Sequence, residues 1–289
     1  MSWQEWVSGG PVLTDGAWGT ELQKRGLGLG ECPDAWNLCH PADVEHVARS
    51  YRQAGSRVIL TNTFRANPIS LAGHGLADRC AEINRAGVEI SKRAAAGALV
   101  FASIGPSGKL LAAGDVTEDG LSAAFCAQAR ALALGCPDAL LLETFSELEE
   151  ALIALRTAKS TGLPVIVSFA FDTGKNKDRT MTGVTPEQAA KAMADNGADA
   201  VGANCGVGIE QLVSVCRRMR AATHLPLWMK PNAGLPEVVD GAIQYRVTAG
   251  QFAGFVPSLR EAGATFIGGC CGTDPQFIRS AAAALVPCA

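Results

Sequence analysis

The 289-residue sequence lacks the features that would place it in a membrane, on nucleic acid or outside the cell. No uninterrupted apolar run approaches the roughly 18 residues of a membrane-spanning helix. No basic run of five or more residues is present, and the net charge of −3 disfavours nucleic acid or an anionic membrane as the main partner. The first residues show neither the basic segment nor the apolar segment of a secretory signal. We therefore expect a cytoplasmic protein.

Cysteine, in contrast, is abundant, with ten residues in the chain. Without an export signal, these cysteines are not expected to form a disulfide framework. The adjacent pair Cys270 and Cys271 stands out, because a disulfide between neighbours strains the peptide that joins them, whereas a metal ion can bind two adjacent thiolates. Seven cysteines are expected to be ordinary core, loop or tail residues: Cys32, Cys39, Cys80, Cys126, Cys136, Cys216 and Cys288.

Short apolar runs alternate with amphipathic stretches of helical length along the whole chain. The runs are rich in Val, Ile or Leu, which is typical of parallel strands buried on both faces. Eight such strand–helix units predict an α/β protein with a (β/α)8 TIM barrel, as a single domain over residues 1–289. A doubly wound open sheet is the alternative, but no dinucleotide-binding glycine pattern follows the first run. The runs begin at Pro11, Arg57, Ala98, Ala139, Pro164, Asp199, Pro226 and Ala264.

Two of the predicted helices begin with capping signals. Thr185 is followed by a proline and, three positions later, by Gln188, which predicts a helix that starts after Thr185. Ser146 and Glu149 have the same spacing and predict a capping box at the start of the helix after the fourth strand.

In a TIM barrel, the residues that follow the strands meet at one face. Cys205 follows the sixth predicted strand, and Cys270 and Cys271 follow the eighth. Because alternate strands contribute to the same layers of side chains, these three thiols are expected to converge. Three thiolates with an open fourth position are typical of a catalytic zinc site. The alternative is two unrelated buried cysteine positions.

Two carboxylates, Asp15 and Glu143, are also predicted at strand ends. Glu143 closes an apolar run, so it requires a cation or hydrogen-bond donors, and a substrate ammonium group would serve. A glycosidase also uses paired acids, but that function leaves the three cysteines unexplained. The glycine-rich segments near the cysteines suit phosphate binding, but no Walker lysine pattern supports it. Further polar residues near strand ends are predicted to bind substrate: Asn62, Thr63, Ser103, Asn204 and Asn232.

With these motifs, the chain resembles the homocysteine S-methyltransferase family over essentially its full length. Within the family it is most similar to the homocysteine-binding barrel of cobalamin-dependent methionine synthase, on the basis of Gly272-Thr and Lys230-Pro-Asn-Ala-Gly. The motifs that carry the family resemblance are Asp15-Gly-Ala-Trp-Gly-Thr-Glu, Thr61-Asn-Thr-Phe, Glu143-Thr, Gly202-Ala-Asn-Cys205 and Gly268-Gly-Cys270-Cys271-Gly.

The resemblance implies a TIM barrel in which the three cysteines bind zinc and the sulfur of homocysteine takes the fourth position. It implies transfer of a methyl group to that sulfur, which produces methionine. It further implies that Asp15 and Glu143 hold the amino-acid end of homocysteine, and that Asn232 approaches the metal when substrate is absent.

Arg65 departs from the family pattern, because small or neutral residues are common after the Thr-Asn-Thr-Phe motif. An arginine there either binds an acidic group on the donor or acceptor, or lies in solvent. The predicted donors are a methylated corrinoid protein, a betaine-like onium compound or a sulfonium, with Trp18 and Phe64 as candidate cage aromatics. Since the barrel pattern fills the sequence, we expect a free donor or one carried by another protein. The alternatives are a methyltransferase that uses a different acceptor and a corrinoid partner, and a non-catalytic zinc-binding subunit.

Overall fold

The computed structural model describes residues 3–239 and 242–285, which form an eight-stranded parallel sheet surrounded by helices. The barrel strands are β1 (Val12–Leu13), β2 (Val58–Leu60), β3 (Leu99–Ile104), β4 (Ala139–Phe145), β5 (Val165–Phe169), β6 (Ala200–Gly208), β7 (Leu227–Asn232) and β10 (Phe266–Ile267). Their order in the sheet is β1-β10-β7-β6-β5-β4-β3-β2. Arg57 N donates a 2.8 Å hydrogen bond to Leu13 O, which joins the first and second strands and brings the ends of the sheet together as a barrel.

An antiparallel hairpin, β8 (Pro236–Val239) and β9 (Ala242–Tyr245), is inserted between the seventh and eighth barrel strands. Two short 3-10 helices span Pro33–Ala35 and Ala77–Arg79. The α-helices are α1 (Trp3–Ser8), α2 (Gly19–Gln23), α3 (Trp36–Cys39), α4 (Pro41–Gln53), α5 (Pro68–Ala72), α6 (Cys80–Ala95), α7 (Glu118–Ala133), α8 (Leu148–Lys159), α9 (Pro186–Asp195), α10 (Ile209–Ala222), α11 (Ala249–Glu261) and α12 (Pro275–Leu285).

The barrel interior is filled by large aromatic side chains. Phe101, Trp228 and Phe266 are fully buried, and the ring centroids of Trp228 and Phe266 lie 5.4 Å apart. Trp3 and Trp6 of α1 pack on this cluster, with 5.9 Å between the rings of Trp3 and Phe266. The cluster contains the first residues of several strands, so α1 closes the amino-terminal end of the barrel. The carboxyl-terminal end is left for the long loops.

The predicted barrel is confirmed, because each of the eight apolar runs contains a strand of the sheet. Their continuous burial explains why they lack the alternation of half-exposed strands. The hairpin and the short helices within the loops were not predicted. No helix among the described residues has both the length and the apolarity to cross a membrane.

The predicted caps have different outcomes. At α9, Thr185 and Gln188 form the reciprocal hydrogen bonds of a capping box, as predicted. The capping box expected from Ser146 and Glu149 is wrong: α8 begins one residue later than that pattern requires, and its N-cap position is Glu147. The backbone of Glu147 is extended, at φ −108° and ψ 126°, so the helix starts after it. The Glu147 carboxylate accepts hydrogen bonds from Leu111 N and Ala112 N, in the loop between β3 and α7.

Candidate functional site

Three thiols from β6 and the loop after β10 meet at the carboxyl-terminal end of the barrel. The Cys205 and Cys271 sulfurs are 3.8 Å apart, and those of Cys270 and Cys271 are 4.0 Å apart. All three sulfurs lie within 4.8 Å of one another. Ligands about 2.3 Å from a tetrahedral zinc ion would lie about 3.8 Å from each other. The spacing of the thiols therefore suits one tetrahedral metal ion.

The backbone around the thiols adopts uncommon conformations. Cys205 and Gly206 both have positive φ, at 59° and 66°, where the pairing of β6 with β7 shifts register. An L-residue in the left-handed region is uncommon and marks a constrained position. Gly269 has no room for a Cβ, which would collide with Thr273. Gly272 has φ 80° and lies against the ring of Tyr245. These conformations turn two segments of chain so that their sulfurs face one point.

The contacts among the thiols stabilise a thiolate within the cluster. Hydrogen bonds from Cys270 and Cys271 lower the pKa of Cys205. The contact with Cys205 raises the pKa of Cys271. Three sulfurs that stabilise a thiolate among them form a donor set suited to a cation.

Two asparagines support the cluster. Asn204 accepts hydrogen bonds from Thr144 N at 2.9 Å and from Ser168 Oγ at 2.6 Å, and its Nδ2 lies 3.9 Å from the Cys270 sulfur. Asn232 Nδ2 donates to Gly206 O at 3.2 Å. The Asn232 Oδ1 is buried and has no hydrogen-bond partner among the described residues. A buried oxygen without a partner beside a thiol cluster is an acceptor that a bound metal or ligand can satisfy.

A cavity of about 300 Å³ opens above the thiols, within the usual size of small-ligand sites. Glu143 and Ser103 form part of its wall, and Ser103 Oγ donates a hydrogen bond to Glu143 Oε1. Burial raises the pKa of Glu143, which Lys230 and Ser103 partly oppose. Thr63 lies behind this wall, where its hydroxyl donates to Ser103 O at 2.7 Å. Of the polar residues predicted to bind substrate, some therefore line the cavity and others support its wall from behind.

Asp15 lies beneath the cavity and not in its wall. It is fully buried, and one carboxylate oxygen forms an ion pair with Lys230. The other oxygen accepts from Trp18 Nε1 at 2.8 Å and from Leu60 N at 2.7 Å. Asp15 therefore orients Trp18 at the cavity and fastens the end of β1 to β2, and its charge is already compensated by the protein.

The mouth of the cavity contains Asn62, Phe64 and Arg65. Asn62 Nδ2 donates to Pro33 O at 2.7 Å, which holds the first long loop against the second. The Arg65 side chain is exposed, and its backbone N donates to Asp34 Oδ1 at 3.0 Å. Burial raises the pKa of Asp34 to about 6. The mouth thus carries one exposed cation and one buried acid.

Comparison with known proteins identifies the family. The homocysteine S-methyltransferase model matches residues 12–285. The chain belongs to the homocysteine S-methyltransferase family. The family resemblance found in the sequence motifs is therefore confirmed, and the chain is a member of a family of methyltransferases.

Relatives in the homocysteine S-methyltransferase family differ in length. The chain is 31% identical to methionine synthase of Mycobacterium tuberculosis, over 95% of this chain but 24% of that protein. It therefore spans about a quarter of the length of that relative. It is 28% identical to betaine–homocysteine S-methyltransferase 1 of Danio rerio, over 95% of this chain and 73% of that protein. The metallated homocysteine methyltransferase MmuM from Escherichia coli has a similar structure, with a TM-score of 0.80, 25% identity and 96% coverage of each chain.

Three residues at this site were not predicted from the sequence. Lys230 appeared only within a motif, and its pairing with Asp15 spans 215 positions. Asp34 lies in a loop without a recognisable signal. Tyr245 belongs to the unpredicted hairpin, and its ring packs over Gly272. The run Lys-Pro-Asn at a buried strand end was the available signal for Lys230, because a lysine there requires a counter-charge. Of the cysteines given ordinary roles, Cys288 lies outside the described residues.

Proposed function

We propose that this protein is a zinc-dependent S-methyltransferase that methylates the thiol of homocysteine to give methionine. The observation that carries the proposal is the convergence of the Cys205, Cys270 and Cys271 sulfurs within 4.8 Å at a cavity that also contains Glu143. Soft thiolate ligands favour zinc among the common divalent ions. The names of the relatives, methionine synthase and betaine–homocysteine S-methyltransferase, support homocysteine as the acceptor.

Each residue of the site has a proposed role that follows from its position. Cys205, Cys270 and Cys271 would hold zinc, which supplies Lewis acidity that keeps a bound thiol deprotonated near neutral pH. The Glu143 carboxylate binds the ammonium group of homocysteine. The Ser103 hydroxyl donates a hydrogen bond that holds the Glu143 carboxylate in place. The acceptor sulfur forms the new bond to the methyl carbon while the bond between that carbon and the donor breaks. The thiol proton passes to solvent on binding, and the donor leaves with the electron pair of the broken bond.

The methyl donor is proposed to be a methylated corrinoid protein, a betaine-like onium compound or a sulfonium. The sequence motifs favour the corrinoid, since they are most similar to the barrel of cobalamin-dependent methionine synthase. Among the described residues, the aromatic side chains that line the cavity are Trp18 and Phe64. Two aromatic rings form a smaller cage than quaternary ammonium binders usually have, which also favours the corrinoid.

The test is methionine formation from homocysteine by the purified, zinc-loaded protein with methylcobalamin, betaine or S-methylmethionine. We expect about one zinc per chain by metal analysis and turnover with methylcobalamin. The Cys271→Ser variant should lose both zinc and turnover, because a hydroxyl is a poor substitute for a thiolate ligand.

The control is Cys39→Ser, which changes an exposed cysteine far from the cluster in sequence and should keep zinc and turnover. Turnover with betaine alone would show that the methyl donor is an onium compound and not a corrinoid. Zinc binding without methyl transfer from any donor would favour the non-catalytic alternative. A protein that holds no zinc and keeps full activity as Cys271→Ser would refute the proposal.

A further inference from the structure

Lys230 is an unusual lysine, because its side chain is only 2% exposed. Its ammonium group pairs with Asp15 Oδ1 and lies 5.7 Å from the centre of the Trp228 ring. Lys230 nevertheless lines the cavity, together with Glu143 and the three cysteines. A lysine ammonium has three N–H donors, and among the described residues Asp15 is its one hydrogen-bond acceptor. Lys230 therefore has unused donors at a cavity surface.

Glu143 has complementary unused capacity. One of its oxygens accepts from Ser103, and the other has no partner among the described residues. The charge of Lys230 acts on Glu143, since it opposes the effect of burial on the pKa of that carboxyl. The cavity thus offers one free acceptor position on a carboxylate and free donor positions on an ammonium group. A buried charged group with unused hydrogen-bonding positions is unfavourable. A ligand that hydrogen-bonds to both the Glu143 carboxylate and the Lys230 ammonium group is therefore favoured.

We propose that Lys230 binds the carboxylate of the acceptor thiol while Glu143 binds its ammonium group, so that the two residues together select an α-amino acid. This inference rests on the proposed function for the identity of the thiol. It assigns Asp15 an indirect role: its carboxylate holds Lys230 in place and does not meet the substrate.

Arg65 is the competing cation at the cavity. Both side chains line the cavity, but Arg65 is exposed at the mouth, whereas the Lys230 side chain is buried. A charge pair in water is screened, and a buried pair is screened much less. The carboxylate of a thiol with its sulfur at the cysteine cluster is therefore expected at Lys230.

The test uses calorimetry to measure how tightly three thiols bind to the zinc-loaded protein. Homocysteine carries both charged groups, 4-sulfanylbutanoate lacks the ammonium, and 3-sulfanylpropan-1-amine lacks the carboxylate. Lys230→Met should weaken the binding of homocysteine and of 4-sulfanylbutanoate by about tenfold to a hundredfold. This is the range for the loss of a hydrogen bond to a charged group. The dissociation constant of 3-sulfanylpropan-1-amine should stay within about threefold of the wild-type value, since that thiol has no carboxylate for Lys230 to bind.

Lys230→Met leaves the buried carboxylate of Asp15 without its counter-charge. The double variant Asp15→Asn/Lys230→Met removes both charges and should show the same selective loss. Lys191→Met removes an exposed lysine on α9 and is the matched control, with no change expected for any thiol.

An equal loss for all three thiols would show that Lys230 has only a structural role, and would overturn the proposal. Loss of carboxylate recognition in Arg65→Met but not in Lys230→Met would overturn it in favour of Arg65. Methyl transfer is measured separately. If wild-type protein binds the thiols with the predicted pattern but transfers no methyl group, the proposed function fails while the assignment of Lys230 stands.

Discussion

Three buried carboxylates lie in or next to the wall of one cavity, and each has a different set of partners. Asp15 is compensated by Lys230, Glu143 has a single hydrogen bond from Ser103, and Asp34 accepts from the backbone of Arg65. Burial disfavours the charged form of a carboxyl, and a nearby cation or hydrogen-bond donor favours it. At the scale of the residue, the same chemical group therefore serves as the counter-charge of a buried lysine, as a candidate substrate ligand and as a hydrogen-bond acceptor for a loop backbone.

Asp34→Asn should stabilise the protein more at pH 7.5 than at pH 4.5. Burial raises the pKa of Asp34 from 3.8 to about 6, so the folded state binds the proton more tightly than the unfolded state. The stabilisation from that proton is complete below the unfolded pKa and is lost as the pH rises through about 6. From these two values, the gain from asparagine should be about 2 kcal/mol larger at pH 7.5.

Urea unfolding of the wild type and Asp34→Asn at the two pH values measures this difference. Asp115→Asn, which changes an exposed acid, is the control and should show no such dependence. A gain from Asp34→Asn that is the same at both pH values would mean that Asp34 ionises normally in the folded protein.

Individual site residues could be predicted when local sequence marks them. The adjacent Cys270 and Cys271 and their flanking glycines predict a metal site, and Cys205 joins them through the barrel geometry. The ion pair between Asp15 and Lys230 joins positions 215 apart, so no local pattern reveals it. Without the pairing of Lys230, both Asp15 and Glu143 were expected to hold the amino-acid end of the substrate. In the structure, Glu143 is the one that lines the cavity.

At the scale of the element, the strands were predictable because burial on both faces leaves a simple apolar run. The short helices α2, α3 and α5 and the β8–β9 hairpin were not, since they are held by loop contacts and not by their own periodicity. Asn37 illustrates this: its Nδ2 donates to Asn62 O at 2.8 Å and Ile83 O at 3.1 Å, which fixes α3 between two other segments. Tertiary contacts of this kind override local propensity.

Substitutions at the helix starts should separate the real cap from the apparent one. Thr185 accepts from Gln188 N at 3.2 Å, so Thr185→Ala should cost about 1 kcal/mol. Ser146→Ala should be nearly neutral, because its hydroxyl makes no hydrogen bond to any described residue. Glu147→Ala should be the most destabilising, at about 1.5–3 kcal/mol, because its buried carboxylate accepts from Leu111 N and Ala112 N. Denaturant unfolding gives all three values, and a loss at Ser146 equal to that at Thr185 would contradict this reading.

At the scale of the whole molecule, the barrel makes neighbours of distant segments. Cys205 and Cys271 are 66 positions apart, yet β7 alone separates their strands in the sheet. A metal held by these residues would connect the carboxyl-terminal ends of β6 and β10, and the unfolded chain would lack the preformed site. Metal binding would then stabilise the entire fold, because a ligand that binds only the folded state shifts the unfolding equilibrium.

Zinc should therefore raise the melting temperature of the metal-free protein, and Cys271→Ser should abolish this increase. At a free zinc concentration 100 times the dissociation constant, the stabilisation is about 2.7 kcal/mol. For a chain of this length, that corresponds to roughly 5 °C. Scanning calorimetry with and without zinc measures the shift. Magnesium, a poor partner for thiolates, is the ion control, and Cys39→Ser is the protein control that should keep the full increase. A zinc-dependent increase of the same size in Cys271→Ser would place the stabilising metal elsewhere in the molecule and remove the link between the cysteine cluster and the stability of the barrel.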